Sequence, residues 1–340
     1  MLQSRMTYLS TTRPVTSTRW AMVGTGLMLE LIGRDFALVD NATMQVLVSR
    51  TEKRAREAAA TFGFPEASAN FEAVLERDDI DVIYLATPHS EHFRHATQAL
   101  EAGKHVLVEK SMTPNATPTR QLCELAKSRG LFAMEAMWTA FHPAIIEIRA
   151  RVAAGQIGEV GLVQANFCMS VPHQSDARLW APHLAGGSTL DQGVYPLSLA
   201  QMVLGTPISV TAAGKIAHEV DAEAAVILDY ASGARALCTT SLRANGSMNA
   251  IIGGSSGSIE IPGPFWAATE FIQRGGPAFP FLPADTVSFE REGAGYVPML
   301  RAVSAAILDG KTEHELRSHD DTIAVAETMD EVLRQIHATG

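Results

Sequence analysis

The chain has 340 residues, and 27 Lys and Arg against 37 Asp and Glu give a formal net charge of −10 at pH 7. That balance excludes a dedicated nucleic-acid or anionic-membrane binder and points to small molecules or other proteins as partners. Hydrophobic residues at 46 % and charged residues at 19 % exclude bulk disorder, and the length fits two domains, each able to bury its own core.

Residues 1–19 hold three arginines, many Ser and Thr and no acidic side chain. Residues 1–18 read as a flexible arm, with an organelle transit peptide as the alternative. From Trp20 to about Phe141, short apolar runs alternate with helical patterns, the rhythm of β-α-β units and a parallel sheet. The predicted strands are WAMVG (20–24), MQVLVS (44–49), DVIYLAT (81–87), HVLVEK (105–110) and LFAMEA (131–136). Helices are expected over Thr51–Phe62, stopped by Gly63, and from Pro114 to Arg129, before Gly130. After Pro143 come a helix through Ala154, the run VGLVQANFCMSV (160–171) and a helix from Asp191 to Leu204. The strand-like stretches ISVTAAGKI, AAVILDY, ARALCTTSL, MNAIIGG and GSIEI then follow without helices between them, which predicts a mostly antiparallel sheet. The expected fold is α/β: a dinucleotide-binding Rossmann domain over 19–141, then an α+β domain over 142–340, with a last helix, Asp320–Ile336, that fits either domain.

Cys123, Cys168 and Cys238 form no CxxC pair and no metal-ligand spacing, and read as reduced thiols of a cytoplasmic protein that holds no metal. No apolar run approaches the roughly 18 residues of a membrane span.

The first predicted strand runs into Gly24-Thr25-Gly26-Leu27-Met28-Leu29, where two glycines allow a tight turn beneath a pyrophosphate at a helix start. An ordinary glycine turn is the competing reading. A full fingerprint has a small residue where Leu29 stands. The second strand ends in Ser49-Arg50 rather than Asp or Glu, a pairing that suits the 2′-phosphate of NADP, although NAD remains possible and Arg50 also fits a solvated helix entry. Thr87, Pro88 and His92 end the third strand beside the same crevice; His92 either touches a ligand or caps a helix. Glu109-Lys110-Ser111 ends the fourth strand, so Lys110 is a candidate catalytic cation. Asp191 and Tyr195, four apart on a predicted helix, can deliver two groups to one site or satisfy each other in a core. Trp138 and Phe141 offer apolar faces for a ring, or belong to an interdomain core.

The segments GTGLML, VSRTEKRA, TPHSEH, HVLVEKS, EAMWTAFHP, GGSTLDQGVYPL and GSIEIPGPFW, in that order, resemble the glucose-fructose oxidoreductase and inositol dehydrogenase (Gfo/Idh/MocA) superfamily. Within it they look most like dimeric dihydrodiol dehydrogenases and NADP-dependent D-xylose dehydrogenases. The resemblance implies an open-faced second sheet, and with the apolar β-rich segments of the second half it leads to the expectation of a homodimer or homotetramer formed through that face. It implies catalytic Lys110, Asp191 and Tyr195, with His92 and Trp138 bordering the nicotinamide or substrate; taken with the motifs above, the expected cofactor site is Gly24, Thr25, Gly26, Leu27, Met28, Ser49, Arg50, Thr87, Pro88, His92, Glu109, Lys110 and Trp138. Arg178 joins Lys110, Trp138, Phe141, Asp191 and Tyr195 around the substrate. The implied activity is reversible hydride transfer between nicotinamide and a cyclic polyol, sugar or dihydrodiol. A glycoside-cleaving enzyme with a transient redox cofactor and a non-catalytic nucleotide sensor are the alternatives. Ser111 replaces the family's usual proline, which predicts a less rigid turn at Lys110. Tyr195 is expected to serve as the base, with Lys110 drawing its phenol towards the working pH.

Overall fold

The structure, a computed structural model, describes residues 16–174, 177–275 and 284–339. Most of the expected arm, residues 1–15, lies outside them; Thr18 already opens the first strand. Among the described residues the first sheet comprises β1 (Thr18–Val23), β2 (Ala42–Val48), β3 (Glu66–Ser68), β4 (Val82–Leu85), β5 (His105–Val108) and β6 (Ala133–Glu135), in the order β3-β2-β1-β4-β5-β6. Every pair is parallel. Its central strands read as unbroken apolar runs because helices cover both faces: Val82, Ile83, Tyr84 and Leu85 are all fully buried.

The helices are α1 (Leu27–Ile32), α2 (Glu52–Phe62), α3 (Phe71–Leu75), α4 (His89–Glu101), α5 (Ala116–Arg129), α6 (Pro143–Ala153), α7 (Val194–Leu204), α8 (Val297–Leu308) and α9 (His319–Thr339). Thr51 caps α2 by accepting from the Arg54 N–H, and Gly63, at φ +77°, ends it in the left-handed conformation expected. The helix expected from Pro114 starts at Ala116, whose N–H is taken by the Asp330 carboxylate of α9 rather than by a local cap.

The second sheet comprises β7 (Val160–Cys168), β8 (Ser209–Ala217), β9 (Val220–Asp229), β10 (Arg235–Ser241), β11 (Ala250–Gly254), β12 (Gly257–Ile261), β13 (Glu270–Gly275) and β14 (Ala284–Ser288). Its order is β14-β13-β12-β11-β7-β10-β9-β8, antiparallel throughout except for the parallel pair β7–β10. One face packs on α7 and α9. On the other, side chains such as Ile227, 41 % exposed, alternate with the buried Val226 and Leu228. The last helix resolves the question the sequence left open by packing on both halves, against α5 on one side and β8 on the other. Among the described residues no helix is long and apolar enough to cross a membrane.

Candidate active site

β1 and β4 are neighbours whose connections leave in opposite directions, so a crevice opens above their carboxyl ends. Gly24 follows β1 at φ +122°, and a Cβ there would lie 2.4 Å from Ala86 O, so only glycine fits. Gly26 caps α1 and has no heavy atom within 4 Å of the position a Cβ would take, which leaves the loop open to a ligand. The Thr25 and Ser49 hydroxyls lie 3.1 Å apart; Arg50 is exposed, and Leu27 is 68 % exposed, with Met28 partly so. Arg54, which the sequence reading passed over, donates from Nη2 to Thr25 O at 3.1 Å and adds a second guanidinium beside Ser49. Thr87, at the end of β4 and just before Pro88, carries a buried hydroxyl oxygen with no partner in the protein. A glycine cradle, an orphaned hydroxyl and two guanidiniums fit a phosphorylated dinucleotide.

Lys110 stands just beyond β5. Its Nζ donates to Asp191 O at 2.8 Å and to Asp191 Oδ1 at 3.1 Å, and lies 5.0 Å from the centre of the Tyr195 ring. Arg178 donates to the same Asp191 Oδ1 at 2.7 Å. Trp138 donates its indole N–H to the Tyr195 hydroxyl at 3.0 Å and stacks on Tyr296 at 4.3 Å. An ammonium at the rim of the first sheet thus pairs with the Asp191 carboxylate and lies over the ring of a phenol from α7.

The helix expected from Asp191 opens instead as a π-helical turn, Thr189–Gly193, that carries Asp191 and leads into α7, whose first turn carries Tyr195. The buried Asp221 of β9 holds the start of that turn, accepting from Ser188 Oγ at 2.9 Å and from Thr189 N at 2.7 Å. A Cβ at Gly187, which sits at φ +117°, would fall 2.0 Å from Asp221 Oδ1, so the glycine lets the carboxylate approach.

Burial alone would raise the Asp191 carboxyl, but Lys110 and Arg178 hold it well below the usual range. Burial alone would lower the Lys110 ammonium; Asp191 and Tyr195 outweigh it and the group ends above its ordinary value. The expectation for Tyr195 is corrected. Burial raises the phenol above its ordinary value, and the opposing pull of Lys110 and the Trp138 N–H does not reverse it. The hydroxyl therefore keeps its proton at neutral pH.

Three further expectations are corrected. His92 is fully buried, with Nδ1 3.0 Å from Ser111 O and Nε2 2.8 Å from Thr87 O, so it braces the crevice from behind. Glu109 turns inward: Tyr84 donates its hydroxyl to Oε1, Lys110 N donates to Oε2 at 3.2 Å, and burial pushes the carboxyl up to about 7. Phe141 is 2 % exposed and meets His314 edge-on, a core contact. The partly exposed ring beside Tyr195 is Trp266, 5.8 Å away and stacked on Phe167 at 3.6 Å. Its sequence signal was the segment GSIEIPGPFW, to which no site role was attached. His89 was likewise missed; its Nε2 lies 3.0 Å from Lys110 O and its Nδ1 3.1 Å from Ala185 O.

Comparison with known proteins agrees with this fold. The family described as "Oxidoreductase family, NAD-binding Rossmann fold" matches residues 18–137, and the GFO/IDH/MocA C-terminal domain matches residues 145–260. The chain is 32 % identical over 329 residues to trans-1,2-dihydrobenzene-1,2-diol dehydrogenase of Bos taurus, covering 94 % of this chain and 97 % of that one. It is also 32 % identical over 367 residues to D-xylose 1-dehydrogenase (NADP(+)) of Hypocrea jecorina, with 93 % and 91 % covered. Among solved structures it shares the fold of KijD10, a 3-ketoreductase from Actinomadura kijaniata (TM-score 0.84, 24 % identity, 94 % and 98 % covered). Levoglucosan dehydrogenase is similar in the same sense (TM-score 0.87, 19 % identity, 95 % and 98 % covered). The chain belongs to the Gfo/Idh/MocA family of oxidoreductases, with an NAD-binding Rossmann domain.

Proposed function

We propose that this chain is an NADP-dependent dehydrogenase that interconverts a CH–OH group of a cyclic polyol, sugar or dihydrodiol with the corresponding carbonyl or lactone. The observation that carries the reading is the convergence of Lys110 Nζ, the Asp191 carboxylate and the Tyr195 phenol. Gly24, Thr25, Gly26, Leu27, Met28, Ser49, Arg50, Arg54, Thr87 and Pro88 would hold the dinucleotide, and Ser49-Arg50 at the end of β2, where an NAD-preferring site carries Asp or Glu, favours the 2′-phosphorylated form. When bound, nicotinamide supplies the hydride acceptor or donor.

The remaining chemistry belongs to the chain. Lys110 donates to the substrate oxygen and stabilises negative charge there; Asp191 keeps it charged and aimed. Tyr195, protonated at rest, gives its proton to that oxygen when a carbonyl is reduced and takes it back when an alcohol is oxidised, so oxidation speeds up as pH rises. Trp138 holds the phenol in place, and Trp266 offers the substrate an aromatic wall. Residues 19–141 hold the cofactor and supply Lys110; residues 142–340 supply the rest of the substrate site and, through the open sheet face, self-association, which a monomer in light scattering at micromolar concentration would refute.

The test is a spectrophotometric screen at about 340 nm, the nicotinamide absorbance, of pyranoses, inositols and dihydrodiols with NADP and NAD. Stoichiometric reduction of NADP supports the reading. Glycoside cleavage without net cofactor consumption, or binding without turnover across the panel, overturns it.

A further inference from the structure

Ser111 stands immediately after Lys110 and is fully buried. Its Oγ donates at 2.9 Å to Leu190 O, the carbonyl of the residue preceding Asp191, and lies 3.8 Å from Met329 Sδ of α9. Its N–H donates to His89 Nε2 at 3.3 Å, and His92 Nδ1 lies 3.0 Å from its carbonyl. The loop that carries the ammonium and the π turn that carries the carboxylate are therefore tied one residue upstream or downstream of the working groups. A proline here would have neither the hydroxyl nor the N–H, so the lost ring stiffness is offset by contacts that a ring cannot make.

We propose that Ser111 is a positioning residue: its hydroxyl, through Leu190 O, sets the register between Lys110 and Asp191 across the two halves of the chain. This rests on reading Lys110 and Asp191 as the working pair. The Lys110 Nζ bonds to Asp191 span only 2.8 and 3.1 Å, and a displacement of about 1 Å at a reacting centre costs on the order of 100-fold in rate. Losing one neutral tether is a smaller disturbance, felt as orientation rather than as binding.

The experiment compares the full-length wild type with Ser111→Ala, Ser111→Pro and Ser111→Thr, by steady-state kinetics and by amide hydrogen exchange. The alanine and proline variants should lose kcat by on the order of 10-fold while KM for substrate and NADP stays within about 2-fold. In both, the amides of 110, 112, 113 and 188–193 should exchange faster than in the wild type. The threonine variant, which keeps the hydroxyl, should recover both. Wild-type kcat and wild-type exchange in the alanine variant would overturn the proposal, as would full activity in the proline variant. A wild-type chain that turns over no alcohol defeats the functional reading alone, because the exchange comparison still decides whether Ser111 ties the two loops.

Discussion

Replacing Asp191 by asparagine breaks the charge balance of the site with little change of shape. The carboxylate lies 3.1 Å from Lys110 Nζ, and the two side chains are only 11 % and 13 % exposed. With the carboxylate charge shared by two oxygens, so that the charges lie about 4 Å apart, and an effective dielectric of about 20, their attraction is worth about 4 kcal/mol, or about 3 pH units on the lysine. Without it, burial and the neighbouring Arg178 act on Lys110 against Tyr195 and Glu109 only. Asp191 also helps to hold the proton on Tyr195, so its loss lowers both groups together. Carbonyl reduction needs the ammonium and the phenol protonated. The basic limb of kcat/KM for reduction should therefore move down by about 3 pH units in the variant, with circular dichroism confirming an intact fold. A variant whose limb coincides with that of the wild type would show that the carboxylate does not hold the proton on Lys110, and the electrostatic account would fail.

Tyr195→Phe should bind NADPH with wild-type affinity, by fluorescence titration, and lose turnover by about 10² to 10⁴-fold; a wild-type rate would remove Tyr195 from the chemistry. Asp221→Ala leaves the buried Thr189 N–H and Ser188 hydroxyl without their acceptor and should cost about 3 kcal/mol in denaturant unfolding. A loss below about 1 kcal/mol would mean the turn is held elsewhere. The Glu109 carboxyl, pushed from 4.5 to about 7, holds its proton better folded than unfolded. Its contribution is therefore fully present below pH 4.5, falls by up to roughly 3 kcal/mol as pH rises towards 7, and stays level above. Glu109→Gln should remove that part of the slope in melting curves taken between about pH 4 and 8; an unchanged slope refutes it.

The first sheet was legible because its strands, buried on both faces, read as plain apolar runs, and because the glycines at 24, 63 and 130 mark its turns. The strand β3, with the sequence EAS, and the strands β13 and β14 at one end of the second sheet are too short or too polar to carry that signal. Within the site, Lys110, Asp191, Arg178 and Tyr195 could be assembled from residue type and spacing together with the family resemblance. Two other matters could not. Whether a histidine such as His92 faces ligand or core depends on its helix's rotation against a neighbouring loop, which periodicity near a helix start does not fix. The direction of the Tyr195 shift depends on how much water its environment excludes, a property of packing from distant segments. Arg54 and Trp266 were in plain view, and only their neighbours in space gave them meaning.

The helix α9 bears on how the crevice can open. It grips α5 with one flank and β8 with the other, and Met329, Val332 and Ile336 are buried along it. A hinge swinging the two sheets apart would have to peel those side chains off one of their partners and into water. Entry and exit are thereby steered towards small local excursions, such as those of the exposed Leu27 and Arg178 side chains, instead of a wholesale yawning of the molecule.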